Sequence, residues 1–145
     1  MTRTPILSAL TAAVLAAAFG AAQAAPVTYK IDPTHTFVTF EAKHFGTSTN
    51  RGRFDKKSGT ITLDKAAKTG KAEVTIETGS INTGTAPFDG HLKGKDFFNA
   101  EAFPSATFVS DQFKFDGDKV TEVVGKLTFL GKTQPVTLKA TSFNC

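Results

Sequence analysis

Along most of the chain, apolar and polar residues alternate with a period of two, the mark of a strand with one dry and one wet face. The clearest run is Lys71–Glu77, where Ala72, Val74 and Ile76 point one way and Lys71, Glu73, Thr75 and Glu77 the other. The same alternation predicts strands over Val27–Ile31, His35–Phe45 (Val38, Phe40 and Ala42 on one face), Arg51–Asp55 and Thr60–Asp64 (Ile61 and Leu63 together). It resumes over Ser105–Phe115, Lys119–Leu130 (Val123, Leu127 and Phe129) and Val136–Phe143 (Val136, Leu138 and Ala140). Turns fall where Asp32-Pro33-Thr34, Gly46–Asn50, Lys56–Gly59, Asp116-Gly117 and Leu130–Thr133 interrupt the pattern. About eight strands joined by short polar turns predict an all-β antiparallel barrel or sandwich. Several strands are long, and their shared faces favour a barrel closed around a cavity with room for one apolar ligand.

One stretch departs from this rhythm. Asp89–Phe108 gathers charge, glycine and paired aromatics between two strand regions, and Asp89–Phe98 fits a short helical insertion weakened by Gly90 and Gly94. It has two readings. As a plug, Leu92, Phe97 and Phe98 seal one end of the barrel; as a portal, His91, Lys93 and Lys95 meet an anionic head group while the phenylalanines meet its tail. Packing favours the plug.

The N-terminus belongs to another category. Arg3, the apolar run Ile6–Phe19 and Ala22-Gln23-Ala24 form a signal peptide, residues 1–24, with cleavage expected after Ala24. Residues 25–145 then form one domain, exported and without stable membrane insertion. Loss of Arg3, the only charge in the leader, lowers the formal net charge from +4 to +3. The lysines are spread out, so no nucleic-acid partner is expected.

Fourteen Phe against one Tyr and no Trp suit an interior that stays dry. Candidate chemistry is sparse. His35 and His44 are an odd number of residues apart and fall on opposite faces of a regular strand, so no metal site is expected. No nucleophile motif or carboxylate pair argues for catalysis, and no cofactor is expected. Cys145, the single cysteine, has no internal partner. Alternation alone nominates Val38, Phe40, Ile61, Leu63, Val74, Ile76, Phe108, Leu127, Phe129 and Leu138 as inward, ligand-facing positions.

Tyr29–Phe40 (YKIDPTHTFVTF), His44-Phe45-Gly46, Gly52-Arg53-Phe54, His91–Asn99 (HLKGKDFFN) and Phe103–Phe108 (FPSATF) together resemble the YceI-like family over the whole mature chain. The resemblance implies a lipocalin-like antiparallel barrel in the bacterial periplasm that holds a long polyisoprenoid in its interior, with no catalytic residues. Family members usually continue past the segment matching Phe143-Asn144-Cys145. An open sheet edge is therefore expected here, with two alternatives: a truncated form lacking C-terminal strands, or dimerisation through that edge or through Cys145. The leading expectation is a carrier, store or scavenger of an apolar isoprenoid lipid. The alternatives are an enzyme acting on a lipid head group, with His91 as acid or base, and a structural module whose core fills itself.

Overall fold

In a computed structural model, residues 25–144 are described; the leader and Cys145 lie outside them. The strands are β1 (Val27–Lys30), β2 (Val38–His44), β3 (Ser48–Phe54), β4 (Lys57–Asp64), β5 (Thr69–Glu77), β6 (Ile81–Asn82), β7 (Ser105–Asp116), β8 (Lys119–Phe129) and β9 (Lys132–Lys139). One helix, α1 (Ala86–Lys93), stands between β6 and β7. The architecture is all-β, antiparallel and lipocalin-like, with a short helical insertion. Six strands form one sheet in the order β1-β4-β5-β7-β8-β9, and β2-β3-β6 form a smaller one.

A single bent ribbon joins the two sheets. β3 runs almost directly into β4, and β5 runs into β6 through the 3-10 turn Thr78–Ser80. Arg53 opposes Asn82 on one side of the bend and Lys57 opposes Ile76 on the other. Between them, the Asp55 amide donates to Ser80 O and the Glu77 amide to Lys56 O, both at 3.0 Å, so pairing survives the corner. Thr78 lies inside it, 1% exposed, and its hydroxyl donates to Phe103 O at 2.6 Å. That bond ties the corner to the chain leaving the helical insertion.

Among the described residues, no ladder pairs the outer edge of β9 with β2 or β1. Strand bounds also differ from those the alternation predicts. Ser48–Asn50, expected in a turn, belongs to β3 and pairs with Ala42–His44, because a tight turn at Phe45–Thr47 takes only three residues. The final strand begins at Lys132, since Leu130 and Gly131, both at positive φ, complete the preceding turn alone. Register shifts between Val109 and Gln112, and again between Lys114 and Phe115, displace the β7–β8 pairing. A bulge resets which residues face inward, and buried Val120 lies beyond the second shift.

The helix carries Pro87 in its first turn, where the missing amide costs no hydrogen bond. Asp89 holds it to the small sheet: its Oδ1 accepts from the Thr83 amide at 2.7 Å and the Thr83 hydroxyl at 2.6 Å. After Gly94 the chain folds back, with the Phe98 amide donating to Leu92 O and the Ala100 amide to Lys93 O.

Candidate functional site

The register brings the strand candidates to one face. Ile61 opposes Ala72, Val74 opposes Phe108, Phe108 opposes Leu127, and Val123 opposes Leu138. With the period of two, Ile61, Leu63, Val74, Ile76, Phe108, Leu127, Phe129 and Leu138 share the inner face of the large sheet. Val27 and Tyr29 join it opposite Leu63 and Ile61. Val38 and Phe40 come from the small sheet, where they are register partners of Phe54 and Gly52.

Burial divides this face. Leu63 and Phe108 are buried, whereas Ile61, Val74, Ile76, Leu127 and Phe129 are only half-buried, and Leu138 is 47% exposed. The tightest packing lies under the helix, where Phe54, Ile81 and Leu92 form a buried cluster with Val38, Phe40, Ile76, Phe88 and Phe98 around it. The Phe98 ring meets Phe54 at 5.5 Å, Phe40 at 5.8 Å and Phe129 at 5.6 Å between centroids, all edge-on. Such edge-to-face contacts are the favoured geometry of aromatic pairs. Leu92 and Phe98 therefore act as a plug. Phe97 does not: it is 44% exposed, and its ring lies 4.7 Å from that of His91.

Glycines let rings lie against the sheet. A methyl group at Gly52 would come within 2.5 Å of the Phe40 ring, and one at Gly125 within 2.6 Å of the Phe108 ring. Several phenylalanines thus cover sheet backbone where a neighbouring strand carries no side chain.

Beside the plug is a hollow of about 450 Å³ between β2 and α1. Its floor is apolar: Phe40, Ala42, Phe88, Leu92, Phe97 and Phe98. Lys43, His44, Asn50 and His91 supply its polar groups. Of the three expected head-group residues, only His91 reaches this hollow. Lys93 lines a separate recess with Asp55, Asn82 and Asp89, and Lys95 is exposed outside both. Lys43 and His44 were not anticipated. The signal for His44 was present, since it has the same parity as Phe40 and Ala42 on β2.

Other charged groups lie on outer faces and in turns. Arg51 pairs with Glu41 and Arg53 with Asp55, each at 2.7 Å, and Lys114 pairs with Glu122 at 2.6 Å. Hydrogen bonds from Asn82, then from Arg53, hold the Asp55 carboxyl below its ordinary range. The Lys114 ammonium does the same to Glu122. His35 packs into a turn with Asp32, 2.7 Å away, and shares no site with His44 or His91. Among the described residues, no three His, Cys, Asp or Glu side chains come together as a metal site requires.

The sequence profile of the YceI-like domain matches residues 29–145. This chain belongs to the YceI-like family. A UPF0312 protein of Pseudomonas aeruginosa (strain LESB58) is 43% identical over 127 residues, 86% of this chain and 66% of that relative. Protein YceI of Escherichia coli O157:H7 is 44% identical over 125 residues, 84% of this chain and 65% of its own length. The chain thus spans about two thirds of the length of these curated relatives. Among solved structures, Burkholderia cenocepacia BcnA superposes with a TM-score of 0.68 at 34% identity, covering 74% of this chain and 67% of that one. A Campylobacter jejuni YceI protein gives 0.57 at 36% identity, covering 75% and 64%.

Proposed function

We propose that this protein is a periplasmic binding protein that holds a long apolar chain, a polyisoprenoid or similar lipid, against the inner face of its large sheet. The observation that carries this reading is the half-open apolar face made by Tyr29, Ile61, Val74, Leu127 and Leu138. Apolar surface shared by five strands and left partly accessible is a surface that gains by being covered. Each side chain of this size that a tail removes fully from water contributes about 1.5–3 kcal/mol, so a handful outweighs the entropy lost on binding.

The self-filled reading holds for one end only. Phe40, Phe54, Phe98 and Phe129 occupy the space beneath the helix themselves. The bound chain therefore lies along the rest of the face, with the aromatic plug as its stop. The polyisoprenoid character follows from the family resemblance, and the role is that of carrier, store or scavenger.

Native mass spectrometry of protein exported to and purified from bacterial periplasm tests this directly. The expected spectrum shows a species that has lost residues 1–24 together with an adduct whose mass fits an isoprenoid lipid. Repeated preparations that give only the bare protein mass would overturn the binding reading. Retention of the leader would overturn the export reading separately.

A further inference from the structure

The β2–β3 turn holds a large aromatic where small residues belong. Phe45 sits at φ 49° and Gly46 at φ 73°. Glycine takes that conformation freely, and Asn or Asp tolerates it, but for a bulky side chain it is an outlier that costs free energy. The strain does not serve packing, because Phe45 is 89% exposed. Among the described residues its only ring neighbour is His44, 4.4 Å away.

The surroundings of this exposed ring have a definite chemistry. His44 lines the same hollow as the exposed Phe97. Lys43, His91 and Lys95 lie in the same two stretches. Of the carboxylates there, Glu41 pairs with Arg51 and Asp89 lies with Lys93 in the separate recess, which leaves Asp96 beside the hollow. Aromatic rings projecting from a rim of basic groups match a surface with an apolar interior and anionic head groups. A second copy of this chain would instead set the same basic groups against each other.

We propose that the Phe45 tip and Phe97 form a docking surface for an anionic lipid bilayer. Phe45 enters the head-group layer, and the basic side chains around the hollow contact acidic lipids. The surface is defined without reference to what the inner face holds, so its test is separate from that of the bound chain.

The test is flotation of purified protein with vesicles of phosphatidylcholine alone and of phosphatidylcholine mixed with phosphatidylglycerol, at low and high salt. The variant is Phe45→Asn. Asparagine accepts positive φ, so the fold should be as stable as the wild type or more so, and lost binding cannot be blamed on unfolding. The control is Phe37→Ser, which removes an exposed ring at the other end of β2, about 26 Å away by strand rise. The expected result is flotation with the acidic vesicles, several-fold weaker on neutral ones and at high salt. Phe45→Asn should weaken it about tenfold, the equivalent of one partly buried aromatic, and Phe37→Ser should leave it unchanged. All three proteins share one N-terminus, so a retained leader cannot produce the difference. Absence of wild-type flotation, or equal flotation of wild type and Phe45→Asn, would overturn the proposal. So would a Phe45→Asn variant that changes only the oligomeric state in sedimentation, since a second copy would then be the occupant.

Discussion

The ring of Phe98 stands edge-on to that of Phe129, 5.6 Å between centroids, and this contact joins the helical insertion to the large sheet. On its other side Phe98 meets Phe40 and Phe54 of the small sheet. One side chain therefore bridges both sheets.

Phe98→Ala should destabilise the fold by about 3 kcal/mol, the low end for a core phenylalanine because Phe98 is half-buried. Phe97→Ala, one residue away, should cost less than about 1 kcal/mol, because that ring is exposed and, among the described residues, its ring contact is with His91. Urea unfolding of the two variants checks the pair. Equal losses would mean that the two rings do not divide between plug and rim.

Rings laid over glycines predict a difference between two substitutions. At Gly52 the Phe40 ring tip and a Thr83 methyl obstruct a new Cβ, at 2.5 and 3.1 Å. Gly52→Ala should therefore cost about 1–3 kcal/mol and be partly rescued by Phe40→Leu. At Gly125 the Val109 carbonyl oxygen lies 2.5 Å from a new Cβ, and backbone cannot step aside. Phe108→Leu should not rescue Gly125→Ala. A double-mutant cycle at each site reads the coupling.

In the turn before β2, Asp32 accepts hydrogen bonds from the Thr34 hydroxyl at 2.6 Å and the Thr34 amide at 2.8 Å, and its other oxygen lies 2.7 Å from His35 Nδ1. These contacts, the Thr34 hydroxyl first, lower its pKa from an ordinary 3.8 to about 2. The native state then binds fewer protons than the unfolded chain between those values. The contribution to stability is thus complete above the ordinary value and disappears as pH falls towards 2. The urea midpoint of wild type over Asp32→Asn should shrink across that window. A constant difference down to the lower limit would show that the turn does not hold the carboxylate.

The strand faces were legible because a period of two is a local property. Val74 and Ile76 needed only their neighbours to declare them inward, and the pairing with Phe108 and Ala106 agrees. What alternation could not carry was any event that changes parity or direction. The two register shifts in β7–β8 depend on which strand lies alongside, so Val120 gave no inward signal. Phe97 and Phe98 looked equivalent in the sequence. They separate because the Phe98 amide is drawn back to Leu92 O while the Phe97 amide bonds Gly94 O, which turns one ring inward and the other out. Lys93 and Lys95 looked like partners of His91 by proximity along the chain, yet the helix presents Lys93 to a different recess.

The proposed ligand face makes its sharpest prediction on β5, where inner and outer residues are adjacent. Val74 is half-buried on the inner face between Gly59 and Phe108, whereas Thr75 is exposed on the outer face between Ser58 and Thr107. Asparagine at position 74 places an amide against the site of an apolar tail, where it finds no partner and loses its hydration. At position 75 the same side chain stays in water. Val74→Asn should therefore lower the fraction of protein carrying a co-purifying lipid about tenfold or more, and Thr75→Asn should leave that fraction unchanged. Native mass spectrometry gives the fraction, and a urea curve in parallel shows that Val74→Asn remains folded under the conditions used. A Val74→Asn variant that is folded and still fully loaded would move the bound chain off this face.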